Sequence, residues 1–151
     1  MRRLLDLIAL GVVVLILLGM VMSINHGKRR EQAIQAARLS VERIQAEVNL
    51  LRALGSVETN DRGHPAGVDP SWFDGELPMN PLLPAGQRWM DLAKPGETLR
   101  RHPRAWEVEE GDEAMFWYNP VQGVVRARVP RQATPEETRR LYAEVNGLEL
   151  D

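Results

Sequence analysis

With no cysteine in the chain, a nucleophile would have to come from the serines, Ser23, Ser40, Ser56 and Ser71. They are scattered, and none occupies the G-x-S-x-G turn that lifts a serine out of a strand-to-helix elbow. The histidines, His26, His64 and His102, stand far apart without the spacing of metal ligands, so each reads first as a solvated loop residue. Glu109, Glu110, Asp112 and Glu113 gather enough carboxylate to attract a cation. They lack the alternating D-x-[DN]-x-[DN]-G order of a calcium loop and read as a charged turn. The glycines of Arg62-Gly63-His64-Pro65-Ala66-Gly67 are interleaved with proline and have no following lysine, which makes them turn residues and not a phosphate cradle. No constellation here would run a reaction, hold a metal or require a cofactor. The sequence reads as a non-enzyme.

Charge narrows the partners. The formal net charge is −2 and the isoelectric point about 6.0, without the basic excess that nucleic-acid binding draws on. All the Phe, Trp and Tyr residues (Trp72, Phe73, Trp89, Trp106, Phe116, Trp117, Tyr118 and Tyr142) fall after residue 71. Large rings supply much of a small core, so the folded domain is expected there.

What must position any such domain is an apolar run, residues 7–24, LIALGVVVLILLGMVMSI. At about 1.5 Å per helical residue it is long enough for a hydrocarbon layer of about 30 Å. It is too long for the apolar core of a signal peptide, and no small-x-small cleavage site precedes Lys28-Arg29-Arg30. The expectation is a retained transmembrane helix behind a short segment, residues 1–6. Arg2 and Arg3 on one side balance Lys28, Arg29 and Arg30 on the other, so flanking charge leaves orientation open. Asp6 sits at the edge of the run. It is either a solvated helix-start charge or a carboxylate that docks a partner.

Residues 25–54 form the expected helical arm: Lys28 to Leu54 has no glycine or proline and is rich in Ala, Glu, Gln, Arg and Leu. Ile34, Val41 and Val48 alternate with Ala37, Ile44 and Leu51 in an a/d heptad pattern. That stripe must be buried, either on the protein's own domain or in a coiled coil with itself or another membrane protein. Gly55-Ser56 stops the helix, and residues 55–84 read as an ordered loop in which Trp72-Phe73 and Leu77-Pro78-Met79 pack down.

In residues 85–151 three short runs carry strand signals: 105–109, 114–118 and 124–129. Alternation places Val125, Ala127 and Val129 inward and Arg126 and Arg128 on a wet face. A three-stranded antiparallel meander is expected, with residues 87–92 as an added fourth strand. A last helix runs between the Thr134-Pro135-Glu136-Glu137 start and the Asn146-Gly147 stop. The fold class is α+β.

The start Leu4-Leu5-Asp6-Leu7-Ile8, an acidic residue just ahead of an apolar helix, resembles that of a type IV pilin or pseudopilin. Residues 75–82, with Asn80-Pro81, resemble the proline-centred loop of that family, and residues 117–125, with Asn119-Pro120, resemble its hairpin. Met1-Arg2-Arg3 carries no glycine of the kind that ends a prepilin leader, so the resemblance points to an unprocessed relative, similar to the small accessory membrane proteins of mannose-sensitive haemagglutinin (MSHA) pili. The resemblance implies a cytoplasmic N-terminus, a bacterial inner-membrane anchor and a periplasmic domain. It also implies partners among the membrane proteins that assemble a type IV pilus or a type II secretion pseudopilus, with Asp6 and the Ile34–Leu51 stripe as contact residues. From another class comes a membrane-tethered binding module whose tryptophans line a ligand face.

Overall fold

The computed structural model describes residues 2–109 and 113–149, and of residues 2–19 and 21–26 the backbone alone. The chain divides into two units, Met1–Gln32 and Ala33–Asp151. Helix α1, Arg2–Leu54, begins in the first and ends in the second. Apart from exposed Met20, the side chains of the apolar run 7–24 lie outside the described residues, as does that of Asp6. Among the described residues no helix is long and apolar enough to cross a membrane.

The second unit is α+β: the end of the long helix, a small mixed sheet of three strands and a short last helix. Helix α1 stops as its sequence dictates. Gly55 takes a left-handed φ of 63°, the Ser56 N–H donates to Leu51 O and the Gly55 N–H to Arg52 O, each at 3.2 Å. This double bond pattern satisfies carbonyls that the helix end would otherwise leave bare. Along the same helix Ile34, Ala37, Val41, Ile44 and Val48 are buried in one core with Phe116, Tyr118, Val125 and Ala127.

The sheet is β1 (Met90–Leu92), β3 (Phe116–Asn119) and β4 (Val124–Ala127), in the order β1-β3-β4. β3 and β4 form the expected antiparallel hairpin, with Phe116 opposite Ala127. The meander is not formed. Run 105–109 contributes only β2 (Glu107–Val108), which pairs in parallel with β5 (Val129–Pro130) outside the sheet. Beside β3 lies β1, in parallel, with Met90 opposite Phe116. The reason lies in β3 itself, which is buried at all of Phe116, Trp117, Tyr118 and Asn119. A strand covered on both faces needs chain over its second face. The crossover from β1 to β3, which contains run 105–109, supplies that cover and cannot also be the neighbouring strand.

The outer edge of β4 is closed by side-chain amides. Gln45 of α1 accepts from the Val125 N–H at 2.9 Å and donates to Gly123 O at 2.9 Å. Asn146 accepts from the Ala127 N–H at 2.8 Å and donates to Ala127 O at 3.0 Å. Each amide offers the one acceptor and one donor that a neighbouring strand would have offered.

Helix α2 (Pro135–Val145) follows its signals: Thr134 caps the Glu137 N–H, proline opens the first turn, and Asn146 and left-handed Gly147 close the last. Thr138, Leu141, Tyr142 and Val145 are its buried face. The loop from Gly55 is pinned through side chains, as expected of an ordered cover. The Tyr118 hydroxyl donates to Pro65 O at 2.8 Å, the Trp89 indole to Pro78 O at 2.8 Å, and Asn80 to Arg128 O at 2.8 Å. Phe73 is buried as the sequence suggested, but Met79 is 44% exposed.

Asn146→Ala removes two edge bonds and the helix cap at once. A loss of roughly 1–3 kcal/mol is expected, the cost of leaving buried backbone groups unmet. Urea unfolding of the full chain in detergent, followed by tryptophan emission, measures it.

Candidate functional site

The pairing of β1 with β3 sets Asp91 opposite Trp117. Both side chains therefore leave the sheet on one face, while Met90, Phe116 and Tyr118 leave it on the other, towards the core. Arg128 joins Asp91 and Trp117 at the end of β4. It is only 5% exposed, not on a wet face as the alternation suggested. Its N–H donates to Met115 O at 2.9 Å, and its guanidinium donates to Ala105 O at 2.7 Å, Ala114 O at 2.8 Å and the Asp91 carboxylate at 2.8 Å. Arg126 is half-buried, its Nε without a partner and its Nη1 bonded to Val125 O. Neither arginine behaves as a surface residue of a one-sided sheet.

The second oxygen of Asp91 accepts from Arg88 at 2.6 Å, and the first also accepts the Ala114 N–H at 3.1 Å. Burial alone would raise the Asp91 pKa. The Ala114 N–H, the Arg128 guanidinium and the Arg88 charge outweigh it and hold the carboxyl below its ordinary 3.8.

Around this pair opens a cleft of about 470 Å³, within the size range of small-ligand sites. A turn, residues 95–97, forms one wall. Its Glu97 is buried, and burial would raise its pKa, but backbone N–H groups at Arg104, 2.9 Å away, and Lys94, 3.3 Å away, hold it ionised and low. The buried Trp117 indole N–H faces Glu97 and lowers its pKa further, at a geometry short of a full hydrogen bond. Asn119 fixes the wall from below, donating to the carbonyls of Glu97, Thr98 and Arg100 at 2.7–3.2 Å. The cleft is completed by the Lys94 and Arg104 side chains, both exposed, and by Glu113, half-buried. Its carboxylates, half-buried Asp91 and buried Glu97, are both tied into bonds that keep them charged.

The residues singled out by sequence are dispersed. Of the arm stripe, Ile34, Ala37, Val41, Ile44 and Val48 are buried and Leu51 half-buried, packed on the protein's own domain. His64 is half-buried, with its ring packed against Gly123 and its Nδ1 buried without a partner. His102 is exposed and lies 3.2 Å from the Tyr142 hydroxyl. Glu109 pairs with Arg131; Glu110, Asp112 and His26 lie outside the described residues. Among the described residues no group of three His, Asp or Glu side chains gathers to hold a metal ion. Of the tryptophans, Trp117 is fully buried and Trp72, Trp89 and Trp106 are partly buried against the core.

Asp91 and Arg128 were missed by sequence reasoning. The one signal was an acid inside an otherwise apolar strand, which asks for a cation on the same face.

Among known proteins, no family model, no curated protein and no solved structure matches the chain.

Asp91→Ala strands the Arg128 charge. Because the Asp91 side chain keeps 20% of its exposure, the expected loss is roughly 2–4 kcal/mol, towards the low end for a broken buried pair. A folded pKa below the unfolded one gives stability that is complete above about 3.8 and fades as pH falls below it. Asp91→Asn should therefore flatten that acid limb, read from unfolding midpoints between neutral pH and the acid range.

Proposed function

We propose that this chain is a non-enzymatic, single-pass inner-membrane protein that assists assembly of a type IV pilus, of the MSHA kind, or of a type II secretion pseudopilus, with its C-terminal domain in the periplasm. The observation that carries the reading is one helix, Arg2–Leu54, whose sequence opens with the apolar run 7–24 and whose later face is buried on a small sheet. An anchor continuous with a domain-packing helix, followed by a strand hairpin and loops held by buried asparagines, is the layout that the pilin resemblance calls for. Asn80 and Asn119, the asparagines of the two Asn-Pro pairs in that resemblance, are both buried and bonded to backbone. The mixed sheet departs from the antiparallel one the resemblance implied, so the support comes from the helix and the hairpin.

With the Ile34–Val48 stripe occupied by the protein's own core, Asp6 becomes the principal candidate for a partner contact. An unpaired carboxylate at the membrane edge gains from a cationic neighbour in a low dielectric. The cleft beside Trp117 favours a second, compatible reading, a tethered periplasmic domain that binds a ligand.

Phosphatase and β-galactosidase fused in turn after Asp151 test the topology: phosphatase activity alone is expected, and galactosidase activity alone would place the domain in the cytosol and end the proposal. Asp6→Ala is expected to lower recovery of pilus-assembly membrane proteins with the tagged chain while its abundance stays unchanged; undiminished recovery would remove Asp6 from the interface.

A further inference from the structure

We infer that residues 59–65 form an acid-released strap: the neutral His64 ring locks this loop over the β3–β4 turn, and protonation of the ring lets it lift off. The inference goes beyond the anchor-and-domain reading and is independent of pilus assembly.

The strap is closed on itself. Thr59 bridges to Pro65, the Asn60 N–H donates to His64 O at 2.8 Å and the Gly63 N–H to Asn60 O at 2.8 Å. The side-chain oxygen of Asn60 accepts from the N–H groups of Arg62 at 2.9 Å and His64 at 3.1 Å. A loop bonded in this way opens as one piece. It is fastened to the hairpin: Asn60 donates to Pro120 O at 2.7 Å, the Tyr118 hydroxyl donates to Pro65 O at 2.8 Å, and the His64 ring lies on Gly123.

The position of that ring decides which protonation state fits. A Cβ at residue 123 would come within 2.3 Å of His64 Nδ1, so the ring fills a place that only glycine leaves open, at a residue whose φ of 64° favours glycine as well. Nδ1 is buried there without a hydrogen-bond partner. Gly123 offers it none, because its N–H donates to Asn119 O at 2.8 Å and its carbonyl accepts from Gln45 at 2.9 Å. A neutral imidazole fits with its proton on Nε2. The cation carries a proton on both nitrogens, and its Nδ1–H would face a Cα with no acceptor.

The surrounding charges add to the mismatch. Arg52 at the end of α1 and Arg62 in the strap both disfavour a charged ring, and no carboxylate offsets them. Glu58 and Asp61 are exposed, the Asn119–Gly123 turn has no titratable side chain, and Tyr118, its pKa pushed up to about 12 by burial, stays neutral. Burial first, and then Arg52 and Arg62, hold the His64 pKa below its ordinary 6.5. The closed strap therefore has its full stability above 6.5 and loses it as pH falls below that value.

Hydrogen–deuterium exchange of the full chain in detergent, compared at about pH 5 and about pH 7.5 and corrected for the intrinsic pH dependence of amide exchange, tests the strap. Protection over residues 57–68 is expected to fall several-fold at the lower pH, with a ceiling of about 30-fold set by an open-state histidine of ordinary pKa, while α2 keeps its protection. In His64→Phe, whose ring packs but takes no proton, that fall should vanish; His64→Leu repeats the check, and far-UV spectra report that both variants fold. Titration of the His64 Cε1 proton by NMR in the unsubstituted chain should give a midpoint below 6.5. A midpoint at or above 6.5, equal corrected protection at the two pH values, or the same fall in the variants overturns the strap. An equal loss in α2 marks global acid unfolding and overturns it too. The topology and co-purification experiments read none of these quantities, so either result can fail without the other.

Discussion

The second unit depends on a buried charge pair. Arg128 and Asp91 meet at 2.8 Å on the face of the sheet away from the long helix. In water such a pair contributes little; with most of both side chains removed from solvent, each requires the other. The arginine stands where β4 ends, the aspartate in β1, and the same guanidinium holds the carbonyls of Ala105 and Ala114. One side chain thus joins three stretches of chain that sequence separation would keep apart. Without it the crossover over Trp117 would keep only its Asn119 bonds and the β2–β5 pairing, and β1 would lose the ion pair that ties it to the end of β4.

That dependence explains what the sequence did and did not disclose. Local signals were readable: the glycine stop at Gly55, the Thr134–Asn146 helix, the hairpin through Asn119-Pro120 and the buried stripe from Ile34 to Val48 all rest on neighbours within a few residues. The stripe left its partner open, because periodicity reports that a face is covered and not by what. The mixed sheet was hidden because β1 and β3 are joined by a long crossover, and nothing in a three-residue strand announces a parallel neighbour. The meander was the cheapest arrangement of adjacent runs. It failed at β3, whose aromatic Phe116-Trp117-Tyr118 has no wet side.

The cleft was hidden for a related reason. Alternation assigned Arg126 and Arg128 to solvent, which holds for a sheet covered on one face only. Once the second face is also covered, a polar residue at an outward position becomes a buried charge in need of a counter-ion, and a carboxylate in an apolar run becomes its natural source. Asp91 and Arg128 were therefore visible singly, as two residues out of place, and invisible as a pair. The tryptophans show the same limit: their number announced a core or a ligand face, and Trp117 turns out to be fully buried, with its indole N–H turned to Glu97.

The amides of Gln45 and Asn146 along β4 have an effect that reaches beyond this single chain. An exposed strand edge is an invitation to sheet growth from one molecule into the next. Here the N–H groups of Val125 and Ala127 are already taken. Sheet growth therefore cannot run outward from β4 by backbone pairing, and any contact made from that side has to be written in side chains.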